Sequence, residues 1–281
     1  MKAKLSPSAL PGKNPLKELL RKGQSAIGVV VTVNNVEVAA RLAALGFDFL
    51  WLETEHSPLS LETIRNIVLA TRCLPAVLLA RPPVNELWTA KRLLDMGVLG
   101  VIFPFTSSLE LARRAVAACR YPPRGLRGSG ADLARLRWPE AANYYDFADE
   151  SVLVVAMIED VEGLSSIDQI AAVPGIDVIF IGTSDLSFSL GLRGEQHHPR
   201  LEAAVARITA AAKRHGKVLG RPGRTPEEVR RFQARGFRFF MTGSELDLLE
   251  AGARRFFKSL NRSREAAGFG KAVFPPPGIG R

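Results

Sequence analysis

Residues 152–160 read VLVVAMIED, seven apolar residues followed by two acidic ones, and residues 177–185 read DVIFIGTSD. Continuous apolar runs of this length are typical of strands buried on both faces, as in parallel sheets. With six similar runs they give eight predicted strands: 27–32, 47–53, 76–81, 100–103, 152–159, 177–181, 217–220 and 237–242. The segments between them carry apolar residues at helical spacing. This alternation predicts an α/β fold, and eight parallel strands are the number that closes a (β/α)8 TIM barrel.

The length favours one large domain. The chain has 281 residues, and a barrel of this kind typically uses about 250. No shift in composition divides the chain, so we expect residues 25–262 to form the catalytic barrel. An N-terminal extension at 1–24 and a Gly/Pro-rich C-terminal arm at 263–281 would flank it. The connection at 121–151 is long enough that we expect it to be functional or to carry short helices.

The composition is that of an ordinary globular protein, with 47% apolar and 23% charged residues, which excludes a disordered chain. Cys73 and Cys119 form no CxxC pair, which excludes a structural zinc cluster and favours a cytoplasmic location. The N-terminal segment lacks the apolar core of a secretory signal, so we expect none there, and no apolar run approaches the roughly 18 residues of a membrane span. The net charge of +10 suggests acidic partners. The basic residues are nevertheless scattered and lack a nucleic-acid-binding motif, so we expect neither a nucleic acid nor a membrane as partner.

Ionisable residues cluster at one end of the predicted strands. In a (β/α)8 barrel the chemistry lies at the carboxyl ends of the strands. The residues found there are Glu53, Glu55 and His56 after the second strand, Arg81 ending the third, Glu159 and Asp160 after the fifth, Asp185 after the sixth, and Arg221 near the end of the seventh. Because buried charges need partners or a metal, this pattern indicates a functional site rather than core packing.

Side-chain chemistry suggests roles for four of these residues. Met157 shares a strand face with Glu159, so Glu159 points into the barrel if Met157 does. Together with Asp185, Glu159 could hold a hard divalent cation such as Mg²⁺. Arg81 offers a planar fork for a substrate carboxylate. His56 is the histidine at a strand's carboxyl end, where it would serve best as general base.

Purely structural interpretations of these residues stay open. They are salt bridges of Glu159 and Asp185 with arginines, ion pairs of Arg81 with Glu53 or Glu55, a helix-start position for His56, and barrel packing for Met157.

Several longer segments resemble one family. They are FDFLWLETEHSP (47–58), LLARPP (78–83), GVLGVIFPF together with RYPPRGLRGSG (97–130), MIED (157–160) and DVIFIGTSDLSFSLGL (177–192). On these motifs the chain resembles the HpcH/HpaI aldolases, metal-dependent class II pyruvate aldolases related to citrate lyase β-like enzymes. The resemblance extends over roughly residues 20–260.

The resemblance implies a barrel whose eighth helix is exchanged between subunits, usually in a trimer of dimers. It also implies that Glu159 and Asp185 bind Mg²⁺, Mn²⁺ or Co²⁺, that Arg81 contacts the pyruvyl unit and stabilises the enolate, and that His56 is the base. Substrate contacts would come from Arg81, Met157, Gly182, Thr183 and Ser184.

Three positions depart from the family pattern. Glu53 stands where the well-studied aldolases have an aspartate that forms a dyad with the histidine. Met157 stands where a glutamine is common, and its thioether donates no hydrogen bond. Ser184 replaces a frequent alanine and adds a hydroxyl.

The expected reaction is cleavage of a 4-hydroxy-2-oxo acid into pyruvate, or a close 2-oxo acid, and an aldehyde, with the reverse aldol addition. His56, oriented by Glu53 or Glu55, would remove the C4 hydroxyl proton. One alternative is a CoA-thioester lyase or hydrolase of the citrate lyase β type, and another is a catalytically altered barrel with a binding role. A Schiff-base aldolase needs a lysine aimed into the site. Lysines 91, 213 and 258 fall in helical patterns, and Lys217 begins a strand, so this mechanism is disfavoured.

Overall fold

The structure is a computed structural model that describes residues 13–139 and 141–260. Eight parallel strands close into a barrel in chain order, with β1 paired to both β2 and β8. The strands are β1 (Ala26–Val31), β2 (Phe49–Glu53), β3 (Val77–Arg81), β4 (Gly100–Phe103), β5 (Leu153–Ile158), β6 (Val178–Ile181), β7 (Val218–Pro222) and β8 (Phe239–Ser244). The predicted (β/α)8 barrel is confirmed, and each predicted strand overlaps an observed one.

Helices connect successive strands, with one more helix before β1 and one after β8. They are α1 (Pro15–Arg21), α2 (Val36–Ala44), α3 (Leu61–Ala70), α4 (Leu87–Met96), α5 (Leu109–Ala118), α6 (Asp132–Arg137), α7 (Tyr144–Ser151), α8 (Val161–Ser165), α9 (Ile167–Ala171), α10 (Thr183–Ser189), α11 (Pro199–Arg214), α12 (Pro226–Ala234) and α13 (Glu245–Ser259). The long connection between β4 and β5 contains α6 and α7 in addition to α5, as its length led us to expect.

Aromatic side chains fill the barrel interior. The rings of Phe49 and Phe239 stack with their centroids 4.4 Å apart, and Phe180 meets Trp51 edge-on at 5.2 Å. These rings fit because Gly28 lies opposite Phe49, where a Cβ atom would overlap the ring. The interior is therefore a packed core, and the site must lie above it, at the carboxyl ends of the strands.

Helix α1 packs at the opposite end of the barrel, where the strands begin. The side chain of Asn14, which is 1% exposed, caps α1 and donates hydrogen bonds to the carbonyls of Leu99 (3.2 Å) and Ser151 (2.8 Å). The ammonium of Lys17 pairs with Asp177 at 3.1 Å, and burial lowers its pKa. Part of the predicted N-terminal extension is thus integral to the barrel.

The expectation that β7 delivers Arg221 to the site is wrong. The guanidinium of Arg221 lies 3.5 Å from the centroid of the Phe232 ring, on α12. Strand parity explains the difference, because Gly220 faces the interior beside Phe180 and the next residue must face the helices. Burial lowers the pKa of Arg221 to about 10.

The chain divides into two compact units, one ending at Glu245 and the other beginning at Leu246. Of the second unit, the structure describes most of α13, whose large apolar side chains, including Leu249 and Phe256, are exposed. The predicted arm at 263–281 lies outside the described residues. Within the described parts of the chain, no helix is both long and apolar enough to span a bilayer.

Candidate active site

Glu53 and Arg81 form a buried ion pair at the carboxyl ends of two adjacent strands. They are register partners on β2 and β3. Arg81 Nε donates to Glu53 Oε2 at 2.7 Å, and Arg81 Nη2 lies 2.6 Å from the same oxygen. Both side chains are almost entirely shielded from solvent, so the pair is held in fixed geometry at the barrel mouth.

Glu53 also organises the turn that follows its own strand. Its Oε1 accepts the backbone N–H groups of Glu55 (2.7 Å) and His56 (3.1 Å), and its Oε2 accepts the indole N–H of Trp51 (3.1 Å). The carboxylate of Glu53 therefore contacts the backbone of His56 and not its imidazole. In place of the carboxylate–imidazole dyad that the resemblance suggests, Glu53 accepts hydrogen bonds from the backbone of the turn.

Glu55 lies between the arginine and the histidine. Its Oε2 is 2.8 Å from Arg81 Nη1 and 3.8 Å from His56 Nε2. Burial raises the pKa of Glu55, whereas the charges of Arg81 and His56 act in the opposite direction. The His56 side chain is 65% exposed, so its ring is accessible to a molecule that enters the mouth.

Glu159 is the most deeply buried acid of the predicted set, at 1% exposure. Its Oε1 accepts the backbone N–H of Phe105 at 2.7 Å, whereas its Oε2 is buried without a hydrogen-bond partner. Burial raises the pKa of Glu159 to about 7; the Phe105 N–H and Arg81 oppose this shift, and Glu55 and Asp185 reinforce it. A buried carboxylate oxygen without a donor needs a cation or a proton as its partner.

Two backbone features create the space around Glu159. A Cβ atom at Gly182 would lie 2.7 Å from Glu159 Oε2, so only glycine lets the carboxylate occupy this position. Phe105 has a φ of 41°, in the left-handed region that non-glycine residues rarely adopt, and this conformation accompanies its N–H bond to Glu159.

The remaining predicted residues surround the same position. Met157 is buried, with its Sδ 4.0 Å from Arg81 Nη1 and its Cε beside Gly182. Asp185 is half-buried in the first turn of α10, where its charge acts on both Glu159 and Glu55. Thr183 is buried and Ser184 is exposed at the start of α10.

The donor set fits a divalent cation that keeps water or substrate ligands. In residues 13–139 and 141–260, no three histidine, cysteine or acidic side chains are grouped so that they form a metal site by themselves. Glu159 nevertheless offers a buried oxygen without a partner, and Asp185 acts on it as a second carboxylate. Two carboxylates are the usual protein contribution to a magnesium site, in which the other positions belong to waters and substrate oxygens.

Sequence reasoning missed Phe105. A main-chain N–H group leaves no trace in the side-chain pattern, and the segment Phe103–Phe105 carries no glycine to indicate a left-handed residue. Asp160, the next residue after Glu159, lies on the helix side instead, where its Oδ1 caps α8 by accepting the N–H of Gly163 at 2.7 Å.

Comparison with known proteins finds relatives along most of the chain. A hydroxypyruvate/pyruvate aldolase of Cupriavidus necator is 34% identical, over 89% of this chain and 93% of that protein. A 4-hydroxy-2-oxo-heptane-1,7-dioate aldolase of Salmonella heidelberg is also 34% identical, over 91% of this chain and 98% of that protein. The crystal structure of an HpcH/HpaI aldolase/citrate lyase family protein from Burkholderia cenocepacia superimposes with a TM-score of 0.82 at 29% identity, covering 89% of this chain and all of that one.

The family model described as HpcH/HpaI aldolase/citrate lyase matches residues 26–251, which is nearly the whole barrel. The expectation from the sequence motifs is confirmed: this chain belongs to the HpcH/HpaI aldolase/citrate lyase family.

Proposed function

We propose that the protein is a divalent-metal-dependent aldolase. It cleaves a 4-hydroxy-2-oxo acid into pyruvate, or a close 2-oxo acid, and an aldehyde, and it catalyses the reverse aldol addition. The observation that carries the proposal is the buried Glu159 Oε2 without a partner, in the field of both Arg81 and Asp185. The names of the two aldolase relatives support the same reaction class.

Glu159 and Asp185 would hold the cation, which supplies Lewis-acid stabilisation of negative charge on the substrate oxygens. Mg²⁺, Mn²⁺ and Co²⁺ all suit an oxygen-rich site. Arg81, fixed by Glu53 and Glu55, presents its positive charge to the 2-oxo acid and to the enolate oxygen that develops as the C–C bond breaks. Gly182, Thr183 and Ser184 would border the bound carboxylate, and Met157 would form an apolar wall beside Arg81.

His56 is the proposed general base. Its exposed ring takes the proton of the C4 hydroxyl, after which the C3–C4 bond breaks to give the aldehyde and the enolate of pyruvate. Protonation of the enolate at C3 completes the cleavage. Lys217 is not placed to form a Schiff base, because its ammonium donates to the carbonyls of Val173 and Ile176 at the opposite end of the barrel.

We further propose a cytoplasmic homo-oligomer, a trimer of dimers in which α13 is exchanged between subunits. The exposed apolar side chains of α13 support a helix that packs against a second copy of the chain. Sedimentation equilibrium would test the stoichiometry.

The decisive experiment measures pyruvate release from 4-hydroxy-2-oxoheptanedioate by the metal-free protein before and after addition of Mg²⁺, Mn²⁺ or Co²⁺. We expect activity only with metal, and its loss in Glu159→Gln and Asp185→Asn. Glu162→Gln, at an exposed acid three residues from Glu159, is the matched control and should retain full activity. Full, EDTA-resistant activity in both ligand variants would rule out the metal assignment.

Two further assays separate the alternatives. Borohydride treatment with pyruvate should leave the enzyme active, because no Schiff base forms. Turnover of an acyl-CoA thioester without cleavage of the hydroxy-oxo acid would instead indicate the citrate lyase β type of reaction. Metal binding without any turnover would indicate a barrel with a binding role.

A further inference from the structure

The carboxylate of Glu53 has no remaining capacity to orient the imidazole of His56. A carboxylate has about four lone-pair positions for hydrogen bonds. Two backbone N–H groups bond to Oε1 of Glu53, and the indole of Trp51 and the guanidinium of Arg81 bond to Oε2. Every position is therefore used, and none of the donors is the imidazole.

Glu55 is differently placed. Its Oε2 contacts Arg81 Nη1 at 2.8 Å and is the carboxylate oxygen facing His56 Nε2, at 3.8 Å. The Glu55 side chain is only 11% exposed. A buried, fixed carboxylate close to one ring nitrogen favours the tautomer that carries the proton on that nitrogen. Contacts of this kind are often long in the free enzyme and shorten when substrate is bound.

We propose that Glu55, and not Glu53, is the positioning residue for His56: it holds the ring proton on Nε2 and leaves Nδ1 as the proton acceptor. The proposal rests on the aldolase function and assigns the working atom of the base. Nδ1 takes the C4 hydroxyl proton while the C3–C4 electron pair moves into the enolate. The imidazolium later releases that proton and the enolate takes one at C3, so protons and electrons balance.

The first test needs no variant. Nitrogen-15 NMR of histidine-labelled, Mg²⁺-loaded protein reports which ring nitrogen carries the proton, and His56→Gln assigns the signal among the four histidines of the chain. We expect His56 with its proton on Nε2. A His56 with its proton on Nδ1 would overturn the proposal, whether or not the protein cleaves any hydroxy-oxo acid.

The second test compares Glu55→Gln, Glu53→Gln and Glu62→Gln, the last being an exposed acid on α3 that serves as the charge control. In Glu55→Gln we expect the preference for the Nε2 proton to be lost and kcat to fall about 10- to 100-fold. The other groups facing Glu55, namely Arg81, Glu53 and Asp185, are unchanged by the substitution.

Glu53→Gln should keep the Nε2 tautomer, Glu62→Gln should behave as wild type, and Glu55→Asp should recover part of kcat. A Glu55→Gln variant with wild-type tautomer and kcat would overturn the proposal. If Glu55→Gln does not fold by circular dichroism, the wild-type tautomer decides alone. Absence of pyruvate release by the wild-type enzyme would refute the proposed function and leave the tautomer measurement valid.

Discussion

Glu53 and Arg81 are register partners on neighbouring strands, and the guanidinium of Arg81 joins Glu53 on one side to Glu55 on the other. One planar group thus fixes two buried carboxylates. A single ammonium lacks the fork geometry that makes this possible.

Arg81→Lys is therefore expected to lower kcat/KM by at least about 100-fold, because misplacement of a positioning group by about 1 Å has effects of this size. The loss should exceed that of Arg114→Lys, the control, because Arg114 pairs with Glu86 in an exposed surface pair. Steady-state kinetics measure the first effect, and urea unfolding confirms that both variants fold. Equal kcat/KM values for the two variants would contradict this role of Arg81.

The raised pKa of Glu159 leads us to expect that the stability of the metal-free protein depends on pH. Burial raises the pKa of Glu159 from 4.5 to about 7, so between these values the unfolded chain loses a proton that the folded chain retains. Stability should therefore fall as pH rises through this range, by roughly 3 kcal/mol, and the loss is absent below pH 4.5.

Urea unfolding in EDTA at pH 5 and pH 8 measures this loss. The stability of Glu159→Gln relative to that of wild type should be higher at pH 8 than at pH 5. Addition of Mg²⁺ at pH 8 should raise the midpoint of wild type and not that of the variant. A wild-type-minus-variant difference that is the same at both pH values would contradict the prediction.

Gly182→Ala should weaken metal binding while the barrel stays folded. The new Cβ would lie 2.7 Å from Glu159 Oε2 and 2.8 Å from Glu159 Cβ, so the carboxylate must move. Gly128→Ala is the control, because its Cβ would meet only the Lys91 side chain, at an ordinary distance of 3.5 Å. Calorimetric titration with Mn²⁺ should give at least a 10-fold higher Kd for Gly182→Ala alone; unchanged affinity would show that the close approach is dispensable.

Asn14→Ala should destabilise the barrel without changing its chemistry. The substitution removes the cap of α1 and the hydrogen bonds to the carbonyls of Ser151 and Leu99, of which the Leu99 carbonyl keeps the N–H of Leu153, at a cost of about 2–4 kcal/mol. Asn143→Ala, which removes an exposed cap from α7, should cost about 1 kcal/mol. Denaturant unfolding gives both values. A change in kcat of the folded Asn14 variant would contradict the expectation that contacts at the α1 end of the barrel do not affect the site at the other end.

The barrel was predictable because burial on both faces produces long apolar runs, each of which overlaps an observed strand. Glu159 was predictable for the same reason, since strand parity with Met157 places it on the interior side. Arg81 was also recognisable as the last residue of an apolar strand, and its ion pairs with Glu53 and Glu55 were among the structural interpretations.

The failures have physical causes as well. The apolar run ends at Gly220 but β7 continues to Pro222, and Arg221, one residue after the interior-facing Gly220, therefore faces the helices. The choice between Glu53 and Glu55 depends on how many donors surround each carboxylate, and these donors include main-chain N–H groups and a tryptophan on the same strand. These donors cannot be identified from the sequence alone.

The buried and half-buried acids at the mouth also lead us to expect a fixed order of binding. Glu53, Glu55, Glu159 and Asp185 face a single guanidinium, that of Arg81, so the named side chains there are net anionic although the whole chain carries +10. An anionic 2-oxo acid approaching this cluster meets repulsion, which a divalent cation bound there would weaken. We therefore expect sequential binding, with the cation first and the organic acid second, and little affinity of pyruvate for the metal-free protein.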